Sequence, residues 1–487
     1  MRNIVILVLF SVFTAFALTC FSQDAETTEI IDKARKQVAL GHFKKAAEIL
    51  DKAIEEAPED KKKELRWEKE RIRRIPLDYT ITEEELQEAC MERIENTTPD
   101  EYKKWEREGK FDVILVEGEK RYLGPSVSNL KKRYPEIRTR FKDYDREDPW
   151  GRKILAMARK ITDAAGKENK THVLPQKIHA RQSIGPKPEF TEPGELVRAW
   201  LPFPRVTNYQ KDIKIISSNP DYSNLDDPES PIRSVYYEQK TTEESIPFFT
   251  IEYEFTRWAI RNNIDPEKVE PYGNDEIFDQ FTMEQEPHII FTDDLKTLAD
   301  KIVHDETNPY IKGKKIYEWI SRNTVYSFAR EYSTIPNIPM YAFLNRYGDC
   351  GQEALLFITL CRIAGVPAAW RSGWECMGGD RYGMHDWAAV YIKPWGWLPV
   401  DPYMGVWVMQ ESTLPDEDRD FLLDFYYGNL DPWRFQANVK NNAELRPEKK
   451  DFRSEPVDFQ RGEIESGGDN LYFNEFRRRM KISVDPL

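Results

Sequence analysis

Apolar positions follow different periods in successive parts of the chain, and these periods predict its structural elements. A continuous apolar run occupies residues 4–18, close to the amino terminus. From residue 29 to about residue 77, apolar positions recur every three or four residues, which indicates amphipathic helices. From residue 186 to residue 261 they alternate in short runs separated by turn-forming residues, which indicates strands. The order of these patterns predicts an α+β fold with several domains.

The apolar run of residues 4–18 predicts a signal peptide over residues 1–22, because it follows a basic residue and is too short to span a bilayer comfortably. Small residues at Cys20 and Ser22 suit cleavage by a signal peptidase. We therefore expect an exported protein, periplasmic or extracellular, with no membrane span in the mature chain. Lipidation at Cys20 is the less favoured alternative, since Thr19 is a poor fit where a small residue is needed.

The helical pattern of residues 23–77 predicts a helical hairpin. Part of it resembles the second helix of a tetratricopeptide repeat, through the order of Gly41, Ala46, Leu50, Ala53 and Pro58. Repeats of this kind need several copies to bury a core, and only one copy is visible. A single hairpin packed on the rest of the chain is therefore favoured over a peptide-binding array.

Two further regions precede the segment with candidate chemistry. Residues 78–185 are highly charged and are predicted to be mostly helical, with a capped helix that starts after Thr82 and a small hairpin near residues 111–123. Residues 186–271 contain several strand-like runs and are predicted to form an antiparallel β-sandwich. Neither region contains a catalytic constellation that the sequence reveals.

The sequence from Asp349 to Pro367 predicts a helix with both ends marked. Asp349 is a good N-cap with a glutamine three residues later, and Gly365 and Pro367 end the helix. Cys350 is then the first helical residue, where the helix dipole stabilises a thiolate and lowers the pKa of the thiol. Cys361, in the same helix, lacks this setting and is interpreted as a core residue. A cysteine at a helix start is more often buried than nucleophilic, so a base and an orienting acid are also needed.

A hairpin supplies candidates for both roles. His385 lies in an apolar strand, and Asp401 ends the strand that follows. If the turn is centred on Lys393, these two residues face each other, since opposed residues of an antiparallel pair have a constant index sum. The carboxylate could then bond one imidazole nitrogen and leave the other facing Cys350. A bulge at Pro399 would instead put the pair on opposite faces.

The motifs YGDC, AGVPAAWRSG, HDWAAVYI and GWLPVDP occur in this order within residues 347–402. As an ordered set they resemble the core of the transglutaminase-like superfamily of papain-fold thiol enzymes. The resemblance implies a catalytic domain, placed at residues 285–410. It also implies a nucleophile at Cys350, a base at His385 and an orienting carboxylate at Asp401. In that family a β-sandwich often precedes the core, as residues 186–271 would here.

The same resemblance suggests substrate-binding aromatic residues. Trp387 fits the family's aromatic two residues beyond the histidine, and Tyr326 fits the aromatic near the end of the upstream helix. Trp374 is a further candidate to line the cleft. Gly351 departs from animal transglutaminases, which have an aromatic residue after the cysteine. No acidic loop has the pattern of a calcium site, so no cofactor is predicted.

The formal net charge of −14 makes the chain a poor general ligand for nucleic acid. The run from Arg477 to Arg479, in a polar C-terminal extension at residues 411–487, is interpreted as a solvated helix face. The chain has 5 Cys, too few for a disulfide framework. A Cys361–Cys376 disulfide cannot be read from sequence, and a metal site is disfavoured because no C-x-x-C pair is present.

The sequence thus predicts an exported thiol enzyme that acts on amide bonds of a protein or peptide substrate through a thioester. Resolution of the acyl-enzyme by water would make it a peptidase or amidase, and resolution by an amine would make it a cross-linking acyltransferase. The residues do not choose between these outcomes. The alternative, from a different functional class, is a non-catalytic module that binds protein or peptide on the same scaffold.

Overall fold

The computed structural model of the chain describes residues 25–273, 275–377 and 382–486. The predicted signal peptide therefore lies outside the described residues. The structure is 40% helical and 27% strand, with several antiparallel sheets, which confirms the predicted α+β class. The chain divides into two compact units after Asp143. Within the described ranges, no helix combines the length and the apolar character that a membrane crossing requires.

The first unit is mainly helical. Its helices are α1 (25–39), α2 (Phe43–Glu56), α3 (Glu59–Asp78), α4 (Glu83–Arg93), α5 (Pro99–Arg107), α6 (Ser126–Arg133) and α7 (Pro135–Arg138). Its strands β1 (Val113–Val116) and β2 (Glu119–Tyr122) pair antiparallel, as the predicted hairpin requires. The predicted cap of α4 is also confirmed, because Thr82 and Glu85 each accept a hydrogen bond from the other's backbone N–H. Where a two-helix hairpin was predicted, the structure has the three helices α1, α2 and α3.

The second unit contains eight helices within the described ranges. They are α8 (Pro149–Glu168), α9 (Glu276–Phe281), α10 (Asp293–Val303), α11 (Pro309–Asn323), α12 (Ile338–Asn345), α13 (Cys350–Ile363), α14 (Pro402–Gln410) and α15 (Asp416–Phe425). Helix α13 begins at Cys350 behind its N-cap Asp349, and Gly365 follows it with a φ of 74°. Both ends predicted from the sequence are thereby confirmed. The helix is buried along almost its whole length, so it forms the centre of a hydrophobic core.

The described strands of the second unit are β3 (His172–Pro186), β4 (Leu196–Pro202), β5 (Gln210–Asn219), β6 (Asn224–Leu225), β7 (Ser234–Lys240), β8 (Phe249–Ile260), β9 (Val325–Tyr326), β10 (Tyr347–Gly348), β11 (Ala368–Cys376), β12 (Tyr382–Ile392), β13 (Gly396–Val400), β14 (Arg434–Asn438), β15 (Glu463–Ser466), β16 (Asp469–Leu471) and β17 (Phe476–Pro486). They form sheets with the orders β13-β12-β11-β14, β16-β15-β4-β7-β6 and β17-β3-β8-β5, and β9 pairs with β10. The last two of the larger sheets enclose a common apolar core. Strand β3 begins in a region that was predicted to be helical.

The C-terminal segment takes part in both sheets of that core. Strand β15 pairs with β4, and β17 pairs with β3 along its full length. The interpretation of Arg477 to Arg479 as a helix face is therefore wrong: these residues lie on β17. The reason is that β3 offers an edge on which eleven consecutive positions pair, from Phe476 to Pro486, and this ladder decides the local structure.

The sheet β13-β12-β11-β14 positions the candidate site. Helix α13 packs against β11 and β12, and the buried residues of these elements belong to one core. The amino terminus of α13 therefore lies near the first half of β12, which contains His385. Because both elements are held by burial, the side chains at their ends have little freedom to move.

Candidate active site

Cys350 lies at the first residue of α13 and is half-buried. The side chain of its N-cap, Asp349, accepts a hydrogen bond from Gln352 N at 3.2 Å. The contact of the thiol is with an acid, because Cys350 Sγ lies 3.9 Å from Asp386 Oδ2. Among the described contacts, the backbone N–H of Cys350 has no acceptor, so it is available to a ligand.

Tyr332 joins the two acids that flank the thiol. Its hydroxyl donates to Asp349 Oδ1 at 2.6 Å and lies 3.4 Å from Asp386 Oδ2. The same hydroxyl oxygen accepts a hydrogen bond from Gly351 N at 3.1 Å. A Cβ on residue 351 would collide with Tyr332 Oη and would lie 2.7 Å from Asp386 Oδ2. Glycine is therefore required where animal transglutaminases have an aromatic residue, because the acid network occupies the space.

His385 and Asp401 form a buried pair. His385 Nε2 lies 2.8 Å from Asp401 Oδ2, and both side chains are almost completely buried. Asp401 is also the N-cap of α14, since its Oδ1 accepts a hydrogen bond from Met404 N at 3.2 Å. The carboxylate is thus fixed by a helix end as well as by the imidazole.

Arg434, which the sequence analysis did not single out, completes this arrangement. Its Nη2 lies 2.9 Å from Asp401 Oδ2 and 3.2 Å from Asp431 Oδ2, and its Nη1 binds Glu375. The guanidinium is fully buried. A signal was present in the sequence, because apolar and polar residues alternate from Trp433 to Val439, the pattern of a strand.

The pair titrates in opposite directions. Burial acts to raise the pKa of Asp401, but the nearby His385 and Arg434 outweigh burial, so the pKa of Asp401 lies below its ordinary value. Burial acts to lower the pKa of His385, but the carboxylate of Asp401 outweighs it, so the pKa of His385 is raised. Both shifts favour an ionised acid beside an imidazole that readily holds a proton.

The predicted register of the hairpin is wrong by two positions in the index sum. Ala388 pairs with Val400 and Ile392 pairs with Gly396, so the turn is centred on Pro394 instead of Lys393. Asp401 lies just beyond the end of β13, diagonally across from His385. A shift of two keeps every side chain on its face, since the side-chain period of a strand is two. No bulge interrupts the pairing at Pro399.

The predicted aromatic positions differ in their surroundings. Trp387 is buried and stacks on His385, with ring centroids 5.9 Å apart and an interplanar angle of 15°. Tyr326 packs on Tyr403 at 4.9 Å, and Tyr403 packs on His385 at 5.4 Å. Trp374 belongs to the core of the two larger sheets, where its Nε1 donates to Gln460 O at 3.2 Å. The structure brings Trp387 and Tyr326 to the histidine side and places Trp374 elsewhere.

The thiol does not have the lowered pKa that the helix dipole alone would give. Burial raises the pKa of Cys350 well above its ordinary value, and Asp386 and Asp349 add to the rise. Burial also raises the pKa of Asp386 to about 8 and that of Asp349 to about 6. The expectation from sequence considered the dipole and not these two neighbouring acids, and burial together with two carboxyls outweighs a dipole.

Cys350 and His385 do not form a hydrogen bond with each other. Among the described residues, His385 Nδ1 has no hydrogen-bond partner, and Sγ is directed at Asp386. Catalytic hydrogen bonds of this kind are often long before substrate binds. The structure therefore brings His385 and Asp401 into direct contact, and it brings Cys350 to the neighbouring residue of β12.

Gln460 connects the C-terminal segment to the site. Its Nε2 donates to Asp386 Oδ1 at 2.7 Å and lies 3.1 Å from the His385 carbonyl oxygen and from Ser372 Oγ. The backbone and side chain on both sides of the candidate base are thus held by a residue distant in sequence. No local pattern around Gln460 could have indicated this role.

The remaining cysteines do not enlarge the site. Cys90, Cys361 and Cys376 are buried free thiols, so Cys361 and Cys376 are not bridged. Within the residues that the structure describes, no group of three or more metal-ligating side chains comes together.

Comparison with known proteins gives the same core. The profile of the Transglutaminase-like superfamily matches residues 296–402, a range that includes Cys350, His385 and Asp401. This part of the chain is a transglutaminase-like domain. An uncharacterized protein of Bacillus subtilis, YebA, is 26% identical over 129 residues, which are 23% of this chain and 17% of YebA. An uncharacterized protein of Haemophilus influenzae is 23% identical over 192 residues, which are 33% of this chain and 50% of that protein. The chain thus spans half or less of the length of these relatives.

Two solved structures share the fold at low sequence identity. A protein of Cytophaga hutchinsonii, described as a candidate cysteine protease, is 17% identical to this transglutaminase-like chain, with a TM-score of 0.42. The match covers 65% of this chain and 92% of that protein. The periplasmic domain of TgpA from Pseudomonas aeruginosa is 13% identical, with a TM-score of 0.27, and the match covers 56% of this chain and 95% of that domain.

Proposed function

We propose that the protein is an exported thiol enzyme that acts on amide bonds of a protein or peptide through a thioester, with Cys350 as nucleophile. One observation supports this above all: the buried chain Arg434–Asp401–His385 ends on β12, which packs on the helix that begins at Cys350. A fixed imidazole beside a helix-terminal thiol is the arrangement that acyl transfer by a cysteine requires.

The proposed role of Asp401 follows from the hydrogen bond that it makes. Because the carboxylate lies at Nε2 of His385, the neutral imidazole carries its proton on Nε2 and presents a lone pair at Nδ1. Nδ1 then accepts the thiol proton of Cys350. The carboxylate stabilises the imidazolium that forms, and Arg434 keeps the carboxylate ionised.

The reaction divides into two halves. In the first, Sγ of Cys350 bonds to the amide carbon, and the oxyanion that forms accepts a hydrogen bond from the unpaired N–H of Cys350. The imidazolium gives its proton to the leaving amine, the C–N bond breaks and a thioester remains. In the second half, His385 removes a proton from water or from an amine, which attacks the thioester. The bond between sulfur and carbon breaks, and the thiol recovers its proton.

The Sγ–imidazole hydrogen bond belongs to the substrate-bound state in this proposal. In the resting protein Sγ contacts Asp386, one residue from the base. Rotation of the cysteine side chain away from Asp386 accompanies binding, and the thiolate–imidazolium pair then replaces a thiol that the two acids keep protonated.

The test compares the wild type with Cys350→Ala and Cys350→Ser. Hydrolysis of a mixed set of peptides and incorporation of a fluorescent amine into casein are measured for each protein. Both variants are expected to lose both activities, and the Cys361→Ala variant, which removes another cysteine of the same helix, is expected to keep them. Equal activity in the wild type and in both Cys350 variants would exclude Cys350 from the chemistry.

A second candidate function is a non-catalytic module that binds protein or peptide on this domain. The raised pKa of Cys350, together with the contact of Sγ with an acid instead of the imidazole, favours it. The two functions differ in how fast iodoacetamide modifies Cys350 at neutral pH. A rate above that of free glutathione supports the enzyme, and a rate far below it supports the module.

Export is part of the proposal and is supported by the apolar run of residues 4–18. Expression of the full chain in a bacterial host with N-terminal sequencing of the periplasmic fraction tests it. The expected mature protein begins near residue 23, whereas an uncleaved protein that stays in the cytoplasm contradicts it.

A further inference from the structure

A groove with a cationic lining adjoins the start of β12. It has a volume of about 1000 Å³ and is lined by residues of β3, β8, β12 and β17. Its positively charged side chains are Arg181, Arg478, Arg479 and Lys481. We call it the basic groove. Four cations in one groove stand out in a chain whose formal net charge is −14.

The cations of the basic groove have no acidic partner. Among the described residues, no carboxylate oxygen lies within 4.0 Å of Arg181, Arg478, Arg479 or Lys481, although ion pairs are common elsewhere in the structure. Glu252 is opposite Arg181 in the register of β3 and β8, but its oxygens hold His179 Nε2 at 2.9 Å and Ser217 Oγ at 3.2 Å. The positive charge of the groove is therefore free to attract an anion.

The groove also offers contacts that suit a polypeptide. Phe248 lies in its lining, and the guanidinium groups of Arg477 and Arg479 each lie 5.7 Å from its ring. Strand β17 is the outer strand of its sheet, so one row of its backbone groups has no strand beside it. An extended chain could pair with such an edge while its acidic side chains meet the cations.

The groove leads directly to the candidate base. Tyr382, Gly383 and Met384 line it, and His385 is the next residue of the same strand. The Tyr382 hydroxyl donates to the Met480 carbonyl, which ties the start of β12 to β17. Since a strand advances about 3.4 Å per residue, a chain that lies in the groove would reach the candidate base within a few residues.

From these observations we propose that the basic groove binds a carboxylate-rich segment of the substrate chain, next to the bond on which the enzyme acts. The proposal rests on the proposed function and adds to it a substrate class: proteins or peptides with acidic residues near the reacting amide. A polypeptide is favoured over nucleic acid because the cations are confined to this groove of an otherwise acidic protein, whereas a phosphate backbone needs an extended basic footprint.

The binding experiment uses the full chain with Cys350→Ala, so that no turnover occurs. The probe is a fluorescein-labelled oligoglutamate of about twelve residues, which spans roughly 40 Å when extended. The groove variant carries Arg181→Gln, Arg479→Gln and Lys481→Gln. The control is Lys214→Gln on β5, the opposite outer strand of the same sheet, which is also exposed. Fluorescence anisotropy gives Kd for each protein.

We expect the groove variant to bind the oligoglutamate at least about ten-fold more weakly than the parent, because it loses three charge contacts. The control is expected to retain the parent Kd, and higher salt is expected to weaken parent binding. All three substituted groove residues are exposed, so a thermal melt equal to that of the parent will show that folding is intact. No binding by the parent, an unchanged Kd in the groove variant, or tighter binding of an oligothymidylate of equal charge would each overturn the proposal.

An activity arm separates this proposal from the one on which it rests. With Cys350 present, the groove variant is expected to raise KM for an acidic peptide while kcat, and KM for a neutral peptide, stay unchanged. If Cys350→Ala abolishes turnover but the groove variant treats both peptides as the wild type does, the groove proposal alone is wrong. If turnover persists in Cys350→Ala, the proposed function is wrong, and the binding result stands by itself.

Discussion

Two buried aspartates on β12 and just beyond β13 have opposite surroundings, and the difference shows what governs the site. Asp401 contacts the imidazole of His385 and the guanidinium of Arg434, and its pKa is lowered. Asp386 contacts Tyr332, Gln460 and the thiol of Cys350, none of which is a cation, and its pKa is raised to about 8. Burial is equal in effect for both. The presence or absence of a cation therefore decides which acid is charged at neutral pH.

The comparison assigns different work to the two acids. Asp401 is an anion that orients and stabilises an imidazolium, whereas Asp386 is a neutral hydrogen-bonding group at neutral pH. A neutral Asp386 is also the less harmful neighbour for Cys350, since a carboxylate there opposes thiolate formation. The site thus combines one charged and one uncharged acid around the same histidine.

The largest expected effect is that of Asp401→Asn on activity. The amide can accept only through its oxygen and carries no charge, so the imidazolium loses its stabilisation and the tautomer is no longer imposed. We expect kcat/KM for amide hydrolysis to fall by about 10³-fold or more, as for the equivalent change in other triads. Steady-state kinetics measure it. Asp424→Asn, at an exposed ion pair with Lys314, is the control and should change nothing. A fall of less than ten-fold at Asp401 would contradict its role.

The next effect concerns stability. Arg434→Met removes the guanidinium and leaves three buried carboxyl groups, those of Asp401, Asp431 and Glu375, without their cation. Removing one partner of such a buried set costs about 3–5 kcal/mol in the free energy of unfolding. Urea denaturation measures the change. The exposed pair of Arg159 with Asp418 provides the matched control, and Arg159→Met should cost about 1 kcal/mol or less.

Equal destabilisation in these two variants would contradict the account of Arg434. A rescue is also expected: adding Asp401→Asn to Arg434→Met should recover part of the lost stability, because one uncompensated buried charge is then removed.

The pH dependence of stability separates the two acids. The folded state raises the pKa of Asp386 from an unfolded value near 4, so it binds a proton that the unfolded chain releases, and this group makes stability fall as pH rises from about 4 to about 8. Asp401 has the opposite sign: its lowered pKa contributes stability above the unfolded pKa, and this contribution is lost as pH falls through the folded pKa.

Asp386→Asn should therefore flatten the pH dependence between pH 5 and 8. The slope removed is at most about 1.4 kcal/mol per pH unit, the value for one proton. Urea denaturation at several pH values measures it. The amide oxygen can still accept the hydrogen bond from Gln460, so the fold is preserved. An identical slope in wild type and variant would show that Asp386 is ionised in the folded protein at neutral pH.

The smallest effect is on the rate at which iodoacetamide modifies Cys350. Near pH 6 Asp386 is neutral, and Asp386→Asn should react like the wild type. Near pH 9 the wild type has a carboxylate 3.9 Å from Sγ that the variant lacks, so the variant should react several-fold faster. Intact-mass spectrometry follows the adduct. A ratio of rates that does not change with pH would contradict the assigned proximity of charge.

The part of the site that the sequence predicted depends on local signals. The N-cap Asp349, the first helical residue Cys350 and the glycine at 365 are marked within one short segment, and all three are as predicted. The shared face of His385 and Asp401 follows from a hairpin with a short turn. Its register was wrong because the centre of a turn depends on backbone geometry that composition does not determine.

The part that could not be predicted depends on contacts between distant segments. Arg434 and Gln460 reach the site from the C-terminal segment, and Tyr332 reaches it from a loop before α12. Their side chains have no local feature that points to a role. The pKa of Cys350 was misjudged for the same reason, since the acids around it come together only in the folded chain. Long-range pairing also explains why β17 was interpreted as a helix.

Direct detection of the acyl-enzyme tests the central claim, that Cys350 becomes a nucleophile through the His385 imidazole that Asp401 orients. The full chain is mixed with an activated peptide ester, quenched in acid and analysed by intact-mass and peptide-mapping spectrometry. The account predicts one adduct, on Cys350, that hydroxylamine removes and that is absent in Cys350→Ala and in His385→Ala. An adduct on another residue, or turnover of the ester with no dependence on Cys350, would contradict it.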